Sequence, residues 1–238
     1  MTAAPTAPAA RAARSARPLL PGPWRGRAIW LVIALGLLVL AGGIAVHGDN
    51  HPFGIEVRIQ HRVDEHAGDD SAWRSVFADV IPWTIGVVLA ALALWALVQR
   101  WWRGLIACAA VPIAIAVAEW ILKPIVARNS ADDLVHVFPS GHLTGVAATA
   151  TVLIVLVGPR LSGARLARTG LAPGLQLGLA FVVTAACAVS VVAAIASHSH
   201  GVFDTVAGLP TGAAIALAWM LVVDAVAPQL TRGLTSRR

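Results

Sequence analysis

Charged side chains are scarce in this chain. Asp, Glu, Lys and Arg make up 13% of its 238 residues, whereas a soluble domain has about 25%. Apolar residues make up 58%, and the mean hydropathy is +0.75. This shortage of charge excludes an ordinary soluble protein and predicts an integral membrane protein.

Cysteine is rare in this chain, and acidic residues are absent from its first 27 residues. The two cysteines lie inside apolar runs, so they supply neither a disulfide framework nor a metal ligand set. Residues 1–27 contain no acid and are rich in Ala, Pro and Arg, so we expect a disordered cytoplasmic tail there. The net charge of +6 does not predict a nucleic-acid partner, because the arginines lie in short loops between apolar runs.

Six apolar runs are long enough to span a bilayer as helices, which takes roughly 17–25 residues. They cover residues 28–47, 77–98, 104–122, 143–158, 175–196 and 202–226. The sequence therefore predicts an all-α fold, a six-helix membrane domain over residues 28–226, and a second basic tail over 227–238. Residues 50–73 mix both charge signs, which indicates a short amphipathic helix on the outer surface.

The distribution of positive charge predicts the orientation. With the N-terminus inside, the inner segments hold 13 of the 18 Lys and Arg residues, and the outer segments hold the other five. The positive-inside rule therefore favours cytoplasmic N- and C-termini. All eight histidines then fall at or beyond the outer ends of the helices. The localisation predicted is a cell membrane, with the polar chemistry facing away from the cytoplasm.

Three of the outer segments contain polar residues that a simple turn does not need. They are "LKPIVARNS" with Lys123 and Arg128, "FPSGH" with Ser140, Gly141 and His142, and "SHSHGVFDTVAG" with His198, His200 and Asp204. Each has an ordinary structural interpretation when taken alone. The cations suit snorkelling interface residues, Pro-Ser-Gly suits a turn and helix cap, and the pairs spaced four apart suit weak surface contacts.

Taken together, the same segments supply the groups that phosphoryl transfer needs. Cations and the free N–H groups of a helix start neutralise phosphate oxygens. One histidine can attack phosphorus while another protonates the leaving oxygen. A carboxylate four residues after a histidine can hold the imidazole in one tautomer. Because no Cys or paired-carboxylate cluster is present, a route without metal or other cofactor is preferred.

These motifs resemble the type 2 phosphatidic acid phosphatase family, which also includes the vanadium-dependent haloperoxidases. The match comprises "PSGH" at residues 139–142 and "HGVFDTVAG" from His200 onward, within about residues 80 to 225. Two positions depart from the family pattern. The first-motif arginine falls at Ser130, and Ala193-Ala194 stand where the family has Ser-Arg.

The resemblance implies a role for each matching residue. It implies that His200 is the nucleophile, that Asp204 orients it, and that His142 is the acid and then the base. Lys123, Arg128, Ser140 and Gly141 would bind the substrate phosphate, with His198 as a stand-in for the missing arginine. The substrate expected is a membrane lipid bearing a phosphate monoester or pyrophosphate.

Two other classes of function stay open from the sequence alone. A weak relative would bind lipid phosphate without turnover, as the missing arginine suggests. A transporter or a histidine-based metal site is suggested by His142, His198 and His200. Against the transporter, the helix interiors carry almost no charge.

Overall fold

This computed structural model describes residues 17–48, 51–68, 70–128, 137–161 and 169–235. Within these ranges seven helices follow one another: α1 Gly22–Val46, α2 Gly54–Ala67, α3 Asp70–Val98, α4 Trp102–Val126, α5 Gly141–Leu161, α6 Ala172–Ala196 and α7 Val202–Thr235. All except α2 are long and apolar enough to cross a membrane. The predicted all-α architecture with six spans is confirmed, and the chain is a multi-pass membrane protein.

The predicted tails are shorter than expected. Helix α1 begins at Gly22 with a proline in its first turn, where the fixed φ and missing N–H of proline suit a helix start. Leu19 and Leu20, just before it, are buried. The prediction of disorder over residues 1–27 is therefore wrong from residue 17 onward, and residues 1–16 lie outside the described ranges. Likewise, the predicted tail from residue 227 is helical as far as Thr235.

Helix α5 lies at the centre of the bundle. Its most apolar stretch is 56% buried, compared with 11% for α1. It packs most extensively on α7, where Gly208 and Gly212 allow the backbones to approach. A Cβ at Gly212 would collide with the carbonyl oxygen of Thr144, and one at Gly208 would lie 2.8 Å from that of Ser140. Small residues at this interface therefore bring the start of α5 against the start of α7.

Two π-helical turns interrupt the spans at the end of the bundle where α5 and α7 begin. One covers Val76–Val80 in α3, and the other covers Ala118–Leu122 in α4. A π turn inserts one extra residue into the helix and so changes which side chains face the interior. The two turns carry Phe77 and Glu119, both of which contact residues of the candidate site.

Helix α2 confirms the amphipathic helix predicted between the first two spans. It lies across the ends of α6 and α7. Its Gln60 donates a hydrogen bond of 3.0 Å to the carbonyl oxygen of Ile195, in the last turn of α6. One face of α2 is thereby tied to the bundle end that carries the candidate site.

The far end of the membrane-spanning part of α7, Val202–Ala227, is tied to the segment before α1. Asp224 is 2% exposed and accepts the backbone N–H groups of Leu19 and Leu20 at 2.9 and 2.8 Å. Its carboxylate also pairs with Arg103 at 3.2 Å and with Arg25 at 3.7 Å. These contacts explain why the residues before α1 are ordered although their composition suggested a tail.

Candidate active site

Most of the predicted site residues come together at one end of the bundle. Lys123 and Arg128 stand at the end of α4, Ser140 to His142 at the start of α5, and His200 and Asp204 at the start of α7. The backbone N–H of Ser140 donates to the carbonyl oxygen of Asp204 at 2.9 Å. This bond joins the second and third predicted motifs directly.

Phe77 brings the two histidines together. Its ring centroid lies 4.4 Å from that of His142 and 5.7 Å from that of His200. Phe77 itself is 5% exposed and is presented by the π turn in α3. Nothing in the sequence singled out this phenylalanine, because its contacts are with residues 65 and 123 positions away.

His200 is half-buried and has an unused ring nitrogen. Among the described residues, its Nδ1 is buried and has no hydrogen-bond partner. Burial lowers the pKa of His200 to about 3, and the nearby Lys123 and His142 act in the same direction, whereas a hydrogen bond to the backbone of Val137 acts against them. The imidazole is therefore neutral at physiological pH, which a nucleophile requires.

Ser140 offers a second unused polar atom beside the start of α5. The residue is fully buried, and its Oγ has no partner within the described part of the chain. Its backbone carbonyl caps the first turn by accepting from the N–H and the Oγ1 of Thr144, at 3.0 and 2.8 Å. A buried hydroxyl without a partner costs about 1–3 kcal/mol, so a ligand that accepts a hydrogen bond there would be stabilised.

Lys123 and Gly141 are in contact with the same carboxylate. Lys123 pairs with Glu119 at 2.7 Å, and its side chain is only 13% exposed. A Cβ at Gly141 would collide with Oε1 of Glu119, so this carboxylate lies over the first residue of α5. The free N–H groups of a helix start favour an anion. Glu119 therefore lies where the predicted phosphate would lie, and it is not the simple surface partner that its spacing suggests.

Arg128 is held by two carboxylates. Its Nη2 pairs with Oε2 of Glu56 at 2.7 Å, and its Nη1 with Oδ1 of Asp204 at 2.9 Å. Burial acts to lower the pKa of Arg128, but the two carboxylates outweigh it and raise the pKa above its ordinary value. The residue is 4% exposed, so its guanidinium is committed to the protein rather than presented to a ligand.

Asp204 does not have the partner that the resemblance implies. Its Oδ1 accepts from Arg128, and its Oδ2 accepts the backbone N–H of Gly201 at 3.1 Å. The carboxylate thus closes the turn that carries His200 but does not hydrogen-bond the imidazole, whose Nδ1 is without a partner among the described residues. The expectation that Asp204 fixes the tautomer of His200 through a side-chain bond is not met in this structure.

Glu56 is a residue of this region that the sequence did not reveal. Besides Arg128, its carboxylate accepts the backbone N–H groups of Phe203 at 2.9 Å and Phe53 at 3.0 Å. It is 2% exposed although it lies on the surface helix α2. A single acid in a mixed-charge segment gave no signal, because its partners are 72 and 147 positions away.

His198 is directed away from the histidine pair. It adopts a left-handed backbone conformation, with φ of 56°, in the turn after α6. Its ring contacts Asp64 at 3.5 Å and Gln60 at 3.2 Å, both on α2. The structure therefore places it with the surface helix and gives it no contact with the other predicted phosphate ligands.

Two positions, Ala194 and Ser130, depart from the pattern of the family that the sequence resembles. Ala194 is fully buried in the same apolar cluster as Phe77 and Leu143. An arginine would not fit there without displacing part of that cluster. Ser130 lies outside the described residues.

The site contains the elements of acid–base and nucleophilic chemistry. Within the described ranges, no three His, Cys, Asp or Glu side chains are grouped closely enough to hold a metal ion.

No family model, curated protein or solved structure matches the chain.

Proposed function

We propose that this protein is a membrane lipid phosphatase that hydrolyses a phosphate monoester or pyrophosphate through a phosphohistidine. The observation that carries the proposal is the pairing of His142 and His200 on Phe77, beside the start of α5. A neutral imidazole with an unused ring nitrogen, a second histidine and the unused hydroxyl of Ser140 lie at a helix start. A phosphate-bearing substrate would use all of these groups.

In the first step, a ring nitrogen of His200 attacks phosphorus and the bond from phosphorus to the leaving oxygen breaks. His142 donates a proton to that oxygen, so the lipid alcohol or the lipid monophosphate leaves in protonated form. In the second step, His142 accepts a proton from water while the water oxygen attacks phosphorus. The nitrogen–phosphorus bond breaks, and inorganic phosphate is released.

The charge that develops on the phosphate oxygens needs donors near the start of α5. Lys123, the backbone N–H groups from Gly141 onward and the Oγ of Ser140 are the groups available there. The carboxylate of Glu119 now contacts Lys123 and Gly141. Substrate binding therefore includes displacement of this carboxylate, because two anions would otherwise compete for the same donors.

The predicted orientation and the position of the site at helix ends support a substrate in the outer leaflet. Because 13 of 18 positive residues lie on the predicted inner side, the site would face away from the cytoplasm. A cysteine replacing Ser199, which is exposed in the turn before His200, should react with a membrane-impermeant thiol reagent on intact cells. Labelling only after lysis would contradict this orientation.

Phosphate release from a panel of lipids tests the proposed activity. Purified protein in detergent should release phosphate from at least one of phosphatidic acid, phosphatidylglycerol phosphate and polyprenyl pyrophosphate, with or without chelator. The His200→Ala variant serves as the inactive control. Release that persists in this variant, or that chelator abolishes, would contradict the mechanism.

Binding of lipid phosphate without turnover is the second candidate function. It is favoured by the commitment of Arg128 to Glu56 and Asp204 and by the alanine at position 194. Saturable binding of phosphatidic acid, with no phosphate release from any lipid of the panel, would establish this alternative.

A further inference from the structure

A groove separate from the histidine pair runs between α2 and the outer part of α6. It has a volume of about 610 Å³ and lies between one face of α2, the start of α3 and Val192. The apolar side chains that line it include Ile55, Ile59, Val63 and Trp73. Val192 lies four residues before the end of α6, about 6 Å along the helix, so the groove is at the depth of a membrane interface.

The groove has a cationic edge on α2. Arg58 and Arg62, one helical turn apart, both line it and are exposed. Residues four apart lie on the same face of a helix. The groove thus places two guanidinium groups beside an apolar surface.

The carboxylates of α2 face other partners. Glu56 pairs with Arg128, Asp64 with His198, and Glu65 with His61. No ion pair to Arg58 or Arg62 occurs among the described residues. Two adjacent cations without a counter-charge repel each other and favour an external anion.

We propose that an anionic phospholipid binds in this groove, with its phosphate between Arg58 and Arg62 and an acyl chain along Ile59, Val63 and Val192. Arginine is suited to phosphate because its planar fork donates two parallel hydrogen bonds. The apolar lining continues onto α6, whose surface near Val192 faces outward. A helix with an apolar stripe beside arginines is typical of attachment to anionic lipid surfaces. The site is independent of the phosphatase activity, because it shares no residue with the histidine pair.

Native mass spectrometry of the full chain in mild detergent tests this site. Phosphatidylglycerol and phosphatidylcholine with the same acyl chains are added separately at equal concentration. We expect the wild type to retain one phosphatidylglycerol in preference to phosphatidylcholine. The double variant Arg58→Gln/Arg62→Gln should reduce that preference by about tenfold, which corresponds to about 1.4 kcal/mol.

Three further variants and one competition experiment distinguish lipid bound in the groove from lipid bound elsewhere on the protein. Arg74→Gln removes an exposed arginine at the same end that pairs with Asp70, and it should leave retention unchanged. Val192→Trp should reduce retention of both lipids, because the indole fills the groove. Lys123→Gln should leave the retention of phosphatidylglycerol unchanged, and so should a large excess of inorganic phosphate.

Several results would overturn the proposal. Equal retention of the two lipids would show that the arginines do not select an anion. Loss of phosphatidylglycerol in Lys123→Gln, but not in the arginine variant, would locate the lipid in the candidate active site. Displacement by inorganic phosphate would indicate a simple anion site, and dimers that replace bound lipid would indicate that a second copy covers the groove.

Discussion

Helix α7 carries a buried aspartate near each end of its membrane-spanning part, Val202–Ala227: Asp204 and Asp224. They are 20 residues apart, which is about 30 Å along a helix and close to the hydrocarbon thickness of a bilayer. Each accepts backbone N–H groups and pairs with arginine. The two ends are therefore built from the same kind of contact, and they differ in what surrounds it.

The difference lies in the polar atoms left unused. In the described part of the chain, the buried side-chain atoms without partners are Oγ of Ser140, Nδ1 of His200 and Oγ1 of Thr205. All three lie at the Asp204 end, and none lies near Asp224. Buried polar groups are normally satisfied, because leaving them unpaired destabilises the fold. Among the described residues, the buried polar side chains near Asp224 thus all have partners within the protein, whereas those near Asp204 include groups that a ligand can use.

The largest effect should come from the nucleophile. We expect His200→Ala to lower phosphate release by at least ~10³-fold, since the covalent route is lost. His198→Ala is the matched control, because that ring contacts α2 instead, and it should retain most of the activity. The rates of both variants are compared at equal amounts of folded protein. Comparable loss in the two variants would show that the histidine pair on Phe77 is not the centre of the reaction.

The comparison between the two aspartates is tested by removing each carboxylate. Asp224→Ala should lower the free energy of unfolding by about 3–5 kcal/mol, because Arg103 is left buried without its partner. The phosphate release of the molecules that remain folded should be unchanged. Thermal unfolding in detergent and activity at a temperature well below the transition measure the two effects.

Asp204→Ala should lower both stability and activity. Its carboxylate closes the turn at Gly201 that carries His200, and it neutralises Arg128. The loss of stability should be of the same order as for Asp224, about 3–5 kcal/mol. If the folded Asp204→Ala protein turned over as fast as the Asp224→Ala protein, the two ends would not differ in the way described.

A smaller effect is expected from the carboxylate that lies over the start of α5. Glu119→Gln removes the negative charge that competes for Lys123 and Gly141. Inorganic phosphate should then inhibit about tenfold more tightly, which corresponds to about 1.4 kcal/mol. Asp79→Asn, an exposed acid in the other π turn, serves as the control. Unchanged or weaker inhibition in Glu119→Gln would mean that phosphate does not replace this carboxylate.

A further effect is a pH dependence of stability. The pKa of His200 is lowered to about 3 in the folded protein, whereas an unfolded histidine titrates near pH ~6.5. Between pH ~6.5 and 3, His200 binds a proton in the unfolded chain but stays neutral in the folded protein. The free energy of unfolding is therefore undiminished by His200 above pH ~6.5, and it declines as the pH falls toward 3. The unfolding temperature of the wild type should fall more steeply over this range than that of His200→Ala, and parallel curves would contradict the assignment.

The local motifs were predictable because their spacing reflects helix geometry. The apolar runs predicted six spans, and the Pro-Ser-Gly turn predicted a helix start, which the apolar run places at Leu143 and the structure at Gly141. The expectation that His142 and His200 lie at the same end followed from counting spans. Each of these inferences depends on residues close in sequence or on the length of a membrane helix.

Other features required the tertiary structure. The partners of Arg128 were not predictable, because Glu56 is 72 positions away on a surface helix. The contact of Phe77 with both histidines depends on a π turn, and no sequence pattern predicted that turn. The ordered segment before α1 follows from Asp224, which accepts its N–H groups from more than 200 positions away.

By itself, the sequence determined that the chain crosses a membrane six times, because long apolar runs have no other stable arrangement in a bilayer than hydrogen-bonded helices. It also determined which polar residues lie at which helix ends. Only the tertiary structure decided how those residues pair: Asp204 with Arg128 rather than His200, Lys123 with Glu119, and His198 with α2. The physical reason is that a carboxylate near several cations and N–H groups binds the partner that packing brings within about 3 Å. That choice depends on how α2, α4, α5 and α7 pack together, and not on spacing along any one of them.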